Sequence, residues 1–148
     1  MLIETLSSLF KRDLTRLKQE IELYQDEQKL WYVEKGIANS GGNLCLHLVG
    51  NLNTYIGAEL GGIAYSRDRA AEFSLRYLPK ADLLRMVEDT KSRVEKSLGR
   101  LTEADLQKEY PQVVFDAPTS TEYFLVHLAT HLAYHLGQIN YHRRLLDA

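Results

Sequence analysis

Residues 119–146, TSTEYFLVHLATHLAYHLGQINYHRRLL, contain no proline, and only Gly137 interrupts them as a weak helix former. The opening Thr119-Ser120-Thr121-Glu122 has the composition of a capping box, in which a hydroxyl and a carboxylate three residues apart satisfy free backbone N–H groups. One long helix ending near Leu146 is therefore expected. His127, His131, His135 and His142 recur along it at spacings of four, four and seven residues. At 100° per residue they fall within an arc of about 80°, so one helix face carries imidazoles.

Upstream, apolar residues follow the same helical period. Ile3, Leu6, Phe10, Leu14, Leu17, Ile21, Tyr24 and Trp31, with Gln28 in the remaining turn, predict a single amphipathic helix that reaches Trp31. Gly36 and Asn39-Ser40-Gly41-Gly42 end it. A second helix is expected from an N-cap at Ser40 or Asn43 to a stop at Gly61-Gly62. A third starts near Pro79 and is striped by Leu83, Val87, Val94, Leu98 and Leu101. Thr102-Glu103-Ala104-Asp105 marks a short extra turn. No segment alternates as a half-buried strand does. The expected fold is all-α, a four-helix bundle in a single domain, 1–148, with long connections at 61–78 and 102–118. Connections of that length often carry function.

Composition narrows the function. The formal net charge is −2 and no basic stripe is present, which argues against nucleic-acid binding. No apolar run approaches the ~20 residues of a membrane span. Met1–Leu6 carries a charge where a signal peptide keeps an apolar core, and the single Cys45 cannot form an internal disulfide, so a cytoplasmic protein is expected. Cys45 lies about 200° around the helix from His47 and reads as a buried, inert thiol.

The fifth histidine, His47, sits on the inward seam of helix two with Leu44, Asn51 and Tyr55. A buried imidazole needs a hydrogen bond or a metal. Imidazoles at i and i+4 lie close enough to share one ion, whereas i+8 has moved too far along the axis. The third ligand should therefore come from a facing helix, which points to His47, His131 and His135. His127 paired with His131 is the rival set. Three protein ligands leave a coordination position open, as in catalytic sites. A bundle without metal would hold the same histidines in a hydrogen-bond network. His131 is followed by Leu132, so HExxH protease chemistry is excluded.

His131-Leu-Ala-Tyr-His135-Leu-Gly137-Gln138-Ile139 resembles the helix-four signature of the DinB/YfiT-like superfamily. Asn39 to Asn51 resembles the helix-two segment of one of its branches, and Arg67 to Phe73 resembles the connection that follows. The resemblance spans nearly the whole chain. It implies an up-down-down-up helix order, metal ligands at His47, His131 and His135, and in many relatives a homodimer. It also implies a metal-dependent enzyme that activates a thiol or water, as in bacillithiol- or mycothiol-dependent transferases and isomerases or in hydrolases. The departures at Leu132, Tyr134 and Leu136, where relatives often carry Glu, His and Arg, leave the substrate open. The expected cofactor is a divalent metal, zinc or nickel first, then iron, cobalt or manganese. A low-molecular-weight thiol would be the cosubstrate and a small molecule the substrate. Asn51, Tyr55, Gln138 and Arg69 are expected to orient substrate or outer-shell groups. Arg67 is a further anion-binding candidate, with a surface ion pair to Asp68 or Glu72 as its alternative. The other functional reading is a non-catalytic, dimeric metal-binding or stress-associated interaction protein, for which the small residues Gly50, Gly57, Ala58, Ala129, Ala133 and Gly137 allow close helix contacts.

Overall fold

A computed structural model describes all residues, 1–148. It is all-helical, with six α-helices and no strand: α1 (Leu2–Leu23), α2 (Gly41–Leu52), α3 (Arg69–Ser74), α4 (Lys80–Gly99), α5 (Glu103–Leu106) and α6 (Thr121–Leu146). No helix is long and apolar enough to cross a membrane. Leu6, Phe10, Leu14, Leu17 and Ile21 of α1 are buried, as the stripe predicts. They share one core with Leu48 and Leu52 of α2, Leu83, Val87 and Leu98 of α4, and Leu125, Leu128 and Leu132 of α6. The helices α1 and α2 both pack on α4 and on α6.

The first helix is shorter than its stripe. It stops at Leu23 because Tyr24 turns to extended backbone, and Glu27–Trp31 forms a separate 3-10 turn capped by the Asp26 side chain. Tyr24, Leu30 and Trp31 are nevertheless buried. A periodic apolar pattern thus continued across a break that periodicity alone does not register.

Helix ends meet at two poles. At one, the backbone N–H of Gln25 donates to the Asp147 carboxylate, Lys29 Nζ donates to Leu146 O, and Lys80 Nζ donates to Tyr24 O. There the ends of α1 and α6 meet the start of α4. At the other, the N-terminal amine pairs with Glu103, and Arg100 donates to Gly61 O, bringing the start of α1 to the ends of α2 and α4.

Local chemistry sets the α2 boundaries. The Ser40 hydroxyl accepts from Asn43 N, and Gly41 and Gly42 form the first turn instead of ending the preceding helix. A Cβ on Gly42 would lie 2.7 Å from the Trp31 ring, so glycine lets the 3-10 turn pack against α2. The helix continues as a π-helical segment, Asn53–Ala58, and Gly62 ends it at φ +64°, where a side chain would be strained. Pro79 is the residue before α4 and not its first turn. The expected Thr119-to-Glu122 box is displaced: Ser120 is the cap, accepting from Tyr123 N, which leaves no acidic residue at the third position to complete the pair. Thr102 and Asp105 do form a reciprocal box on α5.

Candidate metal centre

The α2 seam and the middle of α6 face each other across the core, and three imidazoles project into the space between them. His47 Nε2 lies 3.3 Å from His131 Nε2, which is 3.1 Å from His135 Nε2. One ligand nitrogen from each ring can be chosen with all three within 4.8 Å of one another, a grouping that can hold a metal ion. For bonds of about 2.1 Å in a tetrahedron, neighbouring donors sit about 3.4 Å apart, close to this spacing.

The opposite ring nitrogens determine what the three converging atoms are. His47 Nδ1 is 3.0 Å from Glu72 Oε1, an acceptor. His135 Nδ1 is 2.7 Å from Gln138 Oε1, also an acceptor. An acceptor at each Nδ1 favours the proton there, which turns the Nε2 lone pair of each ring inward. A single proton on His131 Nε2 cannot fully serve both neighbours, and its own Nδ1 is buried without any partner. That nitrogen has no protein partner whether Nε2 carries a proton, a lone pair or an ion, so it is the crowding at Nε2 that marks the site. A cation shared by three converging Nε2 atoms fits this donor set.

Burial lowers the pKa of His131 to about 4, helped by the charges His135 and His47 would carry. His135 is lowered too, chiefly by burial and partly offset by its bond to Gln138. Both are neutral near pH 7, the state a metal requires.

Glu72, expected only as a surface partner of Arg67, is instead buried and bonded to the site. It lies on α3, inside the long connection, and Arg67 grips it through Nε to Oε2 (2.8 Å) and Nη2 to Oε1 (3.1 Å). Arg67 is thus no surface ion pair and no free anion receptor, because it neutralises a buried carboxylate. Burial pushes the Glu72 pKa up, but hydrogen bonds from His47 and Arg67 outweigh this and leave it lowered. The sequence signal was the spacing Arg67 to Glu72 in a connection too long for a simple turn.

The remaining candidates separate. Gln138 touches a triad member. Asn51 is buried one turn beyond His47, with Oδ1 unpartnered. Tyr55 packs its ring edge-on against Phe124 and lies 5.7 Å from the Arg67 guanidinium, and its carbonyl accepts from the Tyr110 hydroxyl. The Arg69 guanidinium lies 5.7 Å from the Phe73 ring, which itself sits 4.9 Å from the His47 ring. His127 is outside the grouping, packed edge-on against Phe115. His142 is a core residue and not an exposed or edge-of-site one: Nδ1 accepts from the Tyr24 hydroxyl (2.6 Å) and Nε2 donates to Tyr32 O (2.8 Å). The shared face predicted for four histidines therefore divides, because α6 is long enough for its far end to meet a different neighbour. Cys45 is fully buried, and burial raises its thiol pKa to about 12.

An apolar hollow lies elsewhere. A cavity of about 450 Å³ between residues 34–39 and the end of α6 is lined by Ile37, Leu44, Tyr141 and Leu145. It meets the triad only through Gln138, and the converging lone pairs are the stronger mark of chemistry.

No curated protein matches the chain. The family described as "Protein of unknown function (DUF1572)", a DinB-like family, matches residues 2–148. The chain belongs to the DUF1572 family.

Proposed function

We propose that this protein is a mononuclear metalloenzyme of DinB type in which His47, His131 and His135 hold one divalent ion, zinc or nickel before iron, cobalt or manganese. The observation carrying this reading is the pair of outward acceptors, Glu72 and Gln138, which commit two lone pairs to the point that His131 Nε2 also faces. The pole contacts support an up-down-down-up four-helix bundle, because α1 and α6 end where α2 and α4 begin. That order puts His47 on a helix antiparallel to the one bearing His131 and His135.

The ion supplies a Lewis-acidic centre that lowers the pKa of a thiol or water in its open position. Imidazoles bind an ion only in their neutral form and Arg67 pairs with Glu72, so the residues around the ion would contribute no compensating charge. With His47, His131 and His135 holding it, such an ion would retain a positive charge that favours deprotonation of a thiol or water. Arg69 is exposed and lies over Phe73, which packs on His47, so it is the residue to hold an acidic group of a small-molecule substrate or thiol cosubstrate. Asn51 Oδ1 is free to accept a hydrogen bond from a ligand or an ordered water.

The test is a screen of electrophiles with several low-molecular-weight thiols, and with water alone, on protein loaded with each metal. Metal-dependent turnover that Arg69→Ala weakens mainly through KM supports the reading. Bound metal with no thiol or water addition under any condition rejects the enzyme and leaves a metal-binding protein. A second, non-catalytic reading is favoured by the outer face of α6, where Tyr123, Val126, Tyr134, Tyr141 and Leu145 are exposed. Such a face suits a second copy of the chain. Sedimentation of Tyr141→Lys against the parent protein tests that homodimer, which should dissociate; unchanged mass in both rules the face out.

A further inference from the structure

Three residues outside the triad converge on His47. Glu72 lies on its Nδ1 side, Arg67 braces both carboxylate oxygens, and Gly50 stands one turn along α2. A Cβ on Gly50 would fall 1.8 Å from Glu72 Oε2, 2.6 Å from its carboxyl carbon and 3.2 Å from Arg67 Nε. The carboxylate therefore occupies the space that any side chain at position 50 would fill. The connection bearing it is pinned to α2 as well: Asn43 Nδ2 donates to Glu72 O and Leu75 O, both at 2.9 Å, and Arg76 donates to Asn43 Oδ1.

We propose that Glu72, clamped by Arg67 and accommodated by Gly50, is a positioning residue that fixes His47 as the Nδ1–H tautomer with Nε2 turned toward the metal. The proposal rests on the metal reading only for its purpose; the tautomer is a property of the metal-free protein. A carboxylate behind a ligating imidazole fixes its orientation and raises its donor strength, and loss of such a partner typically weakens metal binding about 10- to 100-fold. The arrangement also joins the docking of α3 to the site, so an ion that needs His47 held in place stabilises the connection in return.

Imidazole ¹⁵N NMR of the metal-free protein reads the tautomer directly. The expected result is protonated Nδ1 and bare Nε2 for His47, with mixed or reversed tautomers in both Glu72→Ala and Gly50→Ala. Cobalt(II) titration should show affinity lower by about 10- to 100-fold in each variant, with an altered visible spectrum. The double variant should bind no more weakly than Glu72→Ala alone, because both changes remove one interaction; two unrelated structural defects would add. Gly50→Ala retains the Glu72–Arg67 charge pair and so serves if Glu72→Ala does not fold. Nε2–H at His47 in the parent protein, or parental cobalt affinity and spectrum in a folded variant, overturns the proposal. An Nδ1–H tautomer that depends on Glu72 in a protein that binds no cobalt upholds the positioning and instead removes the metal reading.

Discussion

His131 is the most constrained of the triad: both neighbours approach its Nε2, while its Nδ1 is buried with no partner. Its pKa, like those of His127, His135 and His142, is lowered in the folded chain, chiefly by burial. The unfolded chain thus takes up protons first. The contribution of these groups to metal-free stability is complete above the ordinary histidine value of 6.5 and is lost as pH falls below it, levelling off only near 4 for His131. Urea unfolding at a series of pH values should show that decline, and His131→Leu should flatten it. His142 answers to a different test. Replacing it by leucine leaves the buried Tyr24 hydroxyl with only a long bond to Ile139 O (3.5 Å) and removes the donor to Tyr32 O, at a cost of about 1–3 kcal/mol. Denaturation should register that loss, while the metal content stays that of the parent protein.

Elements were legible where one period governed and illegible where two neighbours met. The α1 stripe, the Ser40 and Pro79 boundaries and the Gly61-Gly62 stop all follow from local rules. The break at Leu23 does not, because Tyr24, Leu30 and Trp31 stay buried on both sides of it. His47 could be paired with α6 because it is the only histidine outside that helix. Glu72 could not be assigned, since its role depends on how the long connection folds back onto α2. Glycine requirements are likewise tertiary. A Cβ on Gly61 would meet Ser97 Oγ at 1.9 Å and Gly57 O at 2.7 Å. Gly61→Ala should accordingly destabilise by about 1–3 kcal/mol, as overpacking does, by forcing α2 and α4 apart at their ends. Ser40→Ala removes the α2 cap and should cost about 1 kcal/mol. Urea midpoints with an unchanged m-value check both.

For the whole molecule, α2 and α6 are separate rods that a shared ion would tie together. Binding to the folded chain alone adds stability by mass action, about 2.7 kcal/mol at a hundredfold excess over Kd. The thermal midpoint should therefore rise on metal addition, fall back with a chelator, and move little in His47→Ala. The most direct test of the account is an anomalous difference map from crystals of the tag-free protein grown with zinc or cobalt, collected at that metal's absorption edge. The account predicts one peak per chain, bounded by Nε2 of His47, His131 and His135 at about 2.0–2.1 Å. A peak held by His127 and His131 without His47, or none between α2 and α6, would contradict it.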